Sequence, residues 1–281
     1  MLQFAIANLV VNEQSFEVPS TLGKWDFVRT HNYQQIVTSL QNGMCGNTFL
    51  ASIDTIDNRS TSLEFQTACD EIIDICLTLS FLTARCVTPS GTTGCSDIQF
   101  VQLGDDFVPS RAIVGFPSIA PASLSAFFLD WVTTIHPAVR QRRLRLHLCH
   151  WLSGLTCFTL EDVYLSAGVQ MDIVKQLERA ATANPNLNYF QGMTSASTRY
   201  SLVALGNDYK AMRNDIVHEG ILSGSNFQNK TKAQCAVVIA ETLNWLDSYI
   251  LAVMGKISQV AGLPRWKGGD FEHGLPSISV R

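Results

Sequence analysis

Two periods of hydrophobic residues run through the chain, and they divide it. Near the N-terminus, FAIANLVV and NTFLASIDTI are short and rich in β-formers, as strands are. SDIQFVQL and FVPSRAIVGF, joined across a GDD turn, read as a hairpin. Between these strands, SLEFQTACDEIIDICLTLSFLTARC places Phe65, Ala68, Ile72, Ile75, Leu79 and Leu82 at helical intervals and predicts a helix. The following VTPSGTTGCS reads as a loop from its Pro, Gly and Ser content. Its glycines are not spaced to cradle phosphate and no Lys follows them.

The pattern changes around FPSIAPAS, where Pro117 and Pro121 mark a boundary. Beyond it the period is helical, with helices predicted over 122–135, 138–155, 159–181, 196–219 (with a break near Gly206) and 230–256. The expected fold class is α+β. Residues 1–120 form a mixed strand and helix module, residues 121–260 an all-α bundle, and 261–281 an irregular Gly- and Pro-rich tail strapped to the surface. NLNYFQGM, ahead of the fourth helix, reads as a loop turned by Asn184, Pro185 and Asn186.

Composition narrows the class. Of the 281 residues, 46% are hydrophobic and 16% charged, enough for a sizeable core. The apolar stretches IVGFPSIAPASLSAFFLDWV and QCAVVIAETLNWLDSYILAVMG are interrupted by Pro or by Glu, Asn and Asp, so both read as core helices rather than membrane spans. The first residues lack the basic start and small-residue cleavage site of a secretory signal, so the expected location is cytoplasmic and the cysteines are expected to be reduced. His147, Cys149 and His150 crowd together with Cys157 beyond, but their spacing fits no standard zinc pattern, and no metal or cofactor is expected.

Charge is uneven. Residues 1–136 carry a net −8 and residues 137–281 a net +4, so the second half is the better partner for a polyanion. The basic run RQRRLRL, with Arg142, Arg143 and Arg145, admits two readings. It is a helix face that is solvated or paired with acids from elsewhere, or it is a contact to a nucleic-acid backbone.

The segment RNDIVHEG, Arg213 to Gly220, carries the sharper chemistry. On a helix with Arg213 set at zero, Leu205, Tyr209, Met212 and Ile216 fall at about 280°, 320°, 260° and 300°, a narrow apolar stripe. Asn214 and His218 fall at about 100° and 140°, nearly opposite it. Arg213 flanks them and can swing toward them on its long stem. Asp215 and Glu219 point elsewhere and are expected to be solvated or paired with Lys or Arg. Such a trio suits RNA cleavage, because the 2′-hydroxyl is a built-in nucleophile. His moves protons near neutral pH, Arg offers a fork of donors to phosphate, and Asn orients without adding charge.

Arg213-Asn-Asp-Ile-Val-His218 resembles the R-x4–6-H motif of the HEPN superfamily, including a polar residue directly after the Arg. RNDIVHEG followed by one long helix is most similar to the Apea-like HEPN branch. The resemblance reaches at most residues 138–256. It implies a helical bundle that dimerises through the motif helices and a metal-independent endoribonuclease in a toxin–antitoxin or anti-phage system. Arg213 would then stabilise phosphate, His218 transfer protons and Asn214 assist, with Arg142, Arg143, Arg145 and Lys210 as candidate RNA contacts. The implied partners are RNA, a second copy of the chain, and an antitoxin or regulatory protein, with no membrane. The rival function is a catalytically silent HEPN-type module that docks a partner protein or nucleotide; a helical scaffold with an incidental motif is the third.

Overall fold

A computed structural model describes residues 1–41, 44–57, 59–93, 118–141 and 144–280. The fold is α+β. Five strands form one antiparallel sheet: β1 (Leu2–Ala7), β2 (Ser15–Ser20), β3 (Gly23–Arg29), β4 (Asn47–Ile53) and β5 (Thr88–Thr93), in the order β2-β3-β4-β1-β5. The helices α1 (Tyr33–Gln41) and α2 (Ser62–Thr83) complete its chain path. Alternation decides the core face. Leu2, Phe4 and Ile6 of β1 are buried two residues apart, as are Phe16 and Val18 of β2 and Trp25 and Phe27 of β3. Phe16 stacks on Phe27 at 4.5 Å between ring centroids.

The β2–β3 hairpin, joined by the two residues Thr21 and Leu22, adds a pair of strands to those legible in the sequence. A correction falls at 88–93. The Pro- and Gly-rich stretch read as a loop is strand β5, antiparallel to β1 with a register irregularity at Pro89–Gly91. An edge strand tolerates Pro and Gly because only one of its sides must donate to the ladder. The expected hairpin of SDIQFVQL and FVPSRAIVGF lies outside the described residues.

The predicted helix of the first module is present as α2, opened by a capping box between Thr61 and Glu64. Beyond residue 118 come β6 (Ala120–Pro121), α3 (Leu124–Phe128), a π-helical turn (Trp131–Ile135), α4 (His136–Gln141) and α5 (Leu144–Gly154). Next are α6 (Leu160–Thr182), α7 (Tyr189–Tyr200), α8 (Asn207–His218) and α9 (Lys232–Val253), then β7 (Val260–Ala261) and α10 (Gly268–Gly274). Helix α9 is long and apolar enough to cross a membrane, but 72% of its apolar window is buried inside the protein.

The chain forms two compact units, and their boundary differs from the expected 120/121. The described residues of Met1–Ser110, Ser118–Leu148 and Ser258–Ala261 belong with the sheet; those of Cys149–Ile257 and Gly262–Arg281 form the helical unit. Tertiary contacts account for the shift. Inside the first unit, Trp131 Nε1 and Trp25 Nε1 donate to the buried Glu71 carboxylate at 3.0 and 2.9 Å. Arg140 and Arg145 reach buried Asp74 of α2 at 2.8 and 3.0 Å.

The tail is likewise not an irregular surface strap. Trp266, Phe271 and Leu275 are buried, and α10 packs on α9. Buried Asp247 of α9 accepts from Arg265 Nε at 2.7 Å, Trp266 Nε1 at 2.7 Å and Trp151 Nε1 at 2.8 Å. One carboxylate thus satisfies a guanidinium and two indoles, which local composition does not announce.

Candidate functional site

The motif segment lies on α8 in the helical unit, beside a cavity lined from α6, α7 and α8, three helices with separate beginnings. Helix α6 is capped by Thr159, whose side chain accepts from Asp162 N. Helix α7 starts with a capping box in which Asn188 and Gln191 satisfy each other's backbone. The stretch NLNYFQGM is therefore a turn only as far as its asparagines, and Tyr189 opens a helix. The predicted 196–219 helix is two: α7 ends at Ser201, in left-handed conformation at φ 55°, and α8 begins after Gly206.

Helix α8 divides the motif's residues by direction. Tyr209, Met212 and Ile216 are buried, the apolar stripe that the helical register predicts; Leu205 lies ahead of the helix and is half-buried. Arg213 and Asn214 are half-buried, and Val217, His218 and Lys210 are exposed. Among the described residues the side chains of Asn214 and His218 have no hydrogen-bond or ion-pair partner. The trio Arg213, Asn214 and His218 thus spans about one and a half turns of a single helix, with its polar groups off the core side.

Of the two acids of the motif, Glu219 is exposed as expected and Asp215 overturns its expectation. Asp215 is fully buried, and it accepts from the backbone amides of Gly224 and Phe227 at 2.7 Å each and of Asn226 at 2.9 Å. The Asn226 side-chain amide adds a fourth donor at 2.7 Å. Burial alone would raise this carboxyl, but the donors outweigh it and hold it below its ordinary value. Glu219 accepts from Ser225 through both backbone and hydroxyl. These carboxylates fold the loop after the motif helix back onto it. A β-carbon at Gly224 would meet the Glu219 and Asp215 carboxylates at 2.5 and 2.9 Å, so a larger residue there would have to displace them. Gly220, at φ +75°, lets the chain turn away at the helix end. Four of the eight motif letters, Asp215, Ile216, Glu219 and Gly220, thus serve packing and the loop.

Arg213 has a partner that the sequence pattern did not single out. Its guanidinium carbon lies 4.5 Å from the centroid of the Tyr189 ring. Tyr189 in turn stacks on Tyr209 at 6.0 Å with 20° between planes. Tyr209 meets Tyr164 edge-on, and the Tyr164 hydroxyl donates to the Tyr209 carbonyl at 2.8 Å. Burial pushes the Tyr189 phenol up to about 12, so it stays protonated at neutral pH. Among the described residues no carboxylate pairs with Arg213. These tyrosines, with Asp172, Arg213, Ile216 and Val217, line a cavity of about 160 Å³ whose rim carries exposed Leu165 and Val169 of α6. The signal that could have found Tyr189 is the capping box of Asn188 and Gln191, which places the ring on a helix beginning.

The remaining candidates separate. Arg145 pairs with Asp74 and Asp70 of α2, within the sheet unit, as the acid-paired reading of the basic run expects. Arg142 and Arg143 lie outside the described residues. Lys210 is exposed on α8, three residues before Arg213, with its ammonium 5.3 Å from the Phe190 ring centroid. Among the described residues no group of three or more His, Cys, Asp or Glu side chains is placed to hold a metal ion. No family model, no curated protein and no solved structure matches this chain.

Proposed function

We propose that this chain is a metal-independent endoribonuclease of HEPN type, acting as a toxin or anti-phage defence effector at a site shared by two protomers. The observation that carries the reading is the sorting of the motif. Among the described residues Asn214 and His218 have no side-chain partner and Arg213 lies on the Tyr189 ring with no carboxylate paired to it, while Asp215 and Glu219 are turned into the following loop. Exposed Leu165, Val169 and Val217 beside the trio are apolar surface for a second copy to cover.

In the reaction, the 2′-oxygen of RNA attacks the adjacent phosphorus and the 5′-oxygen leaves. One imidazole takes the proton of the 2′-hydroxyl, and a second, from the other protomer's His218, protonates the departing oxygen. The Arg213 guanidinium binds the charge that gathers on the phosphoryl oxygens, and Asn214 orients the phosphate. The products are a 2′,3′-cyclic phosphate and a 5′-hydroxyl.

The test is incubation of the full chain with mixed RNA in EDTA, alongside His218→Ala, with sedimentation to measure the oligomeric state. Cleavage that leaves those ends, falling about 10²-fold or more in the variant, supports the enzyme. Equal cleavage by both proteins rejects it. No cleavage by a dimer with a normal melting profile favours the silent docking module.

A further inference from the structure

On α7 and α8 two aromatic rings and two cations are interleaved. Adjacent residues Tyr189 and Phe190 open α7, and Lys210 and Arg213 lie one turn apart on α8. Arg213 lies over Tyr189 at 4.5 Å, and Lys210 over Phe190 at 5.3 Å. The Tyr189 ring is fixed from behind by its stack on buried Tyr209 and by its hydroxyl, which donates to the Gly168 carbonyl at 3.4 Å. A third cation nearby, Lys175, lies 5.8 Å from the same ring but is neutralised by Asp172. Among the described residues neither Lys210 nor Arg213 has a carboxylate partner. The other acid on this part of α8, Asp208, is exposed in its first turn.

We infer that the α7–α8 face is the track for single-stranded RNA on either side of the scissile phosphate, an inference that rests on the nuclease reading above. Tyr189 is a positioning residue. Its ring holds the guanidinium plane, so the N–H edges of Arg213 are set before phosphate arrives and little side-chain freedom is lost on binding. Lys210 and Phe190 take the neighbouring nucleotide, the ammonium on its phosphate and the half-buried ring against its base. Arg213 and Lys210 are about 5–6 Å apart at their β-carbons by helix geometry, a spacing suited to two phosphates of one strand. The three variants therefore divide by kinetic constant. Tyr189 acts through Arg213 on the reacting phosphate, whereas Phe190 and Lys210 touch only the flank.

The experiment measures cleavage of a short single-stranded RNA and binding of its all-2′-deoxy counterpart, which lacks the nucleophile. Tyr189→Leu is expected to lower kcat about tenfold or more, with Tyr189→Phe restoring it. Lys210→Ala and Phe190→Ala are expected to raise KM and to weaken the deoxy strand about five- to tenfold at unchanged kcat. Lys210→Ala should also reduce the slope of log affinity against log salt by about 0.7. Each variant is accepted only with a wild-type melting temperature. Should Tyr189→Leu fail that test, loss of the ring-current shift of the Arg213 Nε–H resonance in Tyr189→Val replaces it. Wild-type kinetics and salt slope in all three overturn the track while leaving the nuclease standing. Variant-sensitive binding of the deoxy strand without any RNA cleavage overturns the nuclease while the track stands. Neither cleavage nor binding overturns both.

Discussion

Two arginine sites in this molecule have opposite fates. The run RQRRLRL is the densest positive charge in the sequence, yet Arg145 and neighbouring Arg140 are matched by Asp74 and Asp70 of α2. Arg213 is isolated in sequence among Asn, Asp and Ile, yet it lies on a tyrosine ring with no carboxylate partner among the described residues. Density of charge along the chain therefore does not measure its availability to a ligand. What decides availability is whether the opposing surface is anionic, which neutralises a guanidinium, or aromatic, which orients it and leaves its donors open.

The comparison is broken most severely at the acid. Asp74→Ala leaves Arg140 and Arg145 facing each other beside a buried void, and is expected to cost about 3–5 kcal/mol in the unfolding of the sheet unit, read by urea denaturation. Cleavage by the surviving folded protein should be unchanged, since neither arginine belongs to the proposed site.

Arg213→Ala should show the reverse. Cleavage is expected to fall about 10²–10³-fold, as on removal of one donor to a developing oxyanion. Its melting temperature should stay close to wild type, and Arg213→Lys should recover little because an ammonium lacks the planar fork. A large loss of stability with intact cleavage would reverse the assignment of the two sites.

A smaller effect sharpens the line between the motif's polar trio and its loop-bound acids. Asp215→Ala removes the acceptor of four hydrogen bonds and should raise amide hydrogen exchange at Gly224, Asn226 and Phe227, with about 1–3 kcal/mol lost per amide left unsatisfied by water. Cleavage should decline less than in Arg213→Ala.

Acid provides a graded version. Burial would raise Glu161, but Ser277 and Ser279 donate to it and hold it at about 2, below the usual 4.5. Asp215 is held down in the same direction. A carboxyl with a depressed folded-state value contributes stability that is complete above its unfolded value and lost as pH falls through the folded one. The helical unit should therefore weaken progressively from about pH 4.5 toward pH 2, and Glu161→Gln should flatten that slope. Equal slopes in the two proteins would remove the C-terminal serines from the account. The smallest change is expected from Arg145→Ala, about 1 kcal/mol or less because the side chain is partly exposed, with RNA cleavage at the wild-type rate.

Much of the helical unit was legible because period alone specifies it. The stripe Tyr209, Met212 and Ile216 predicts which side of α8 is buried, and the outward placement of Asn214 and His218 follows from 100° per residue. The tail was not legible, because Arg265 and Trp266 are buried by the single carboxylate of Asp247, a partner nearly twenty residues away. Strand β5 was hidden for a related reason: Pro89 and Gly91 oppose a strand locally and are accepted only at an edge of the sheet.

By itself, the sequence determined the helical and strand periods and the arrangement of Arg213, Asn214 and His218 on one helix. These depend on neighbours within a turn or two, and backbone geometry transmits them directly. Only the tertiary structure decided which arginines are neutralised, that Asp215 folds a loop, and that Tyr189 lies beneath Arg213. Each of those depends on groups brought together from distant segments. At such a contact a charge is neutralised, buried or left open by what faces it, and the chain's own order does not record the facing group.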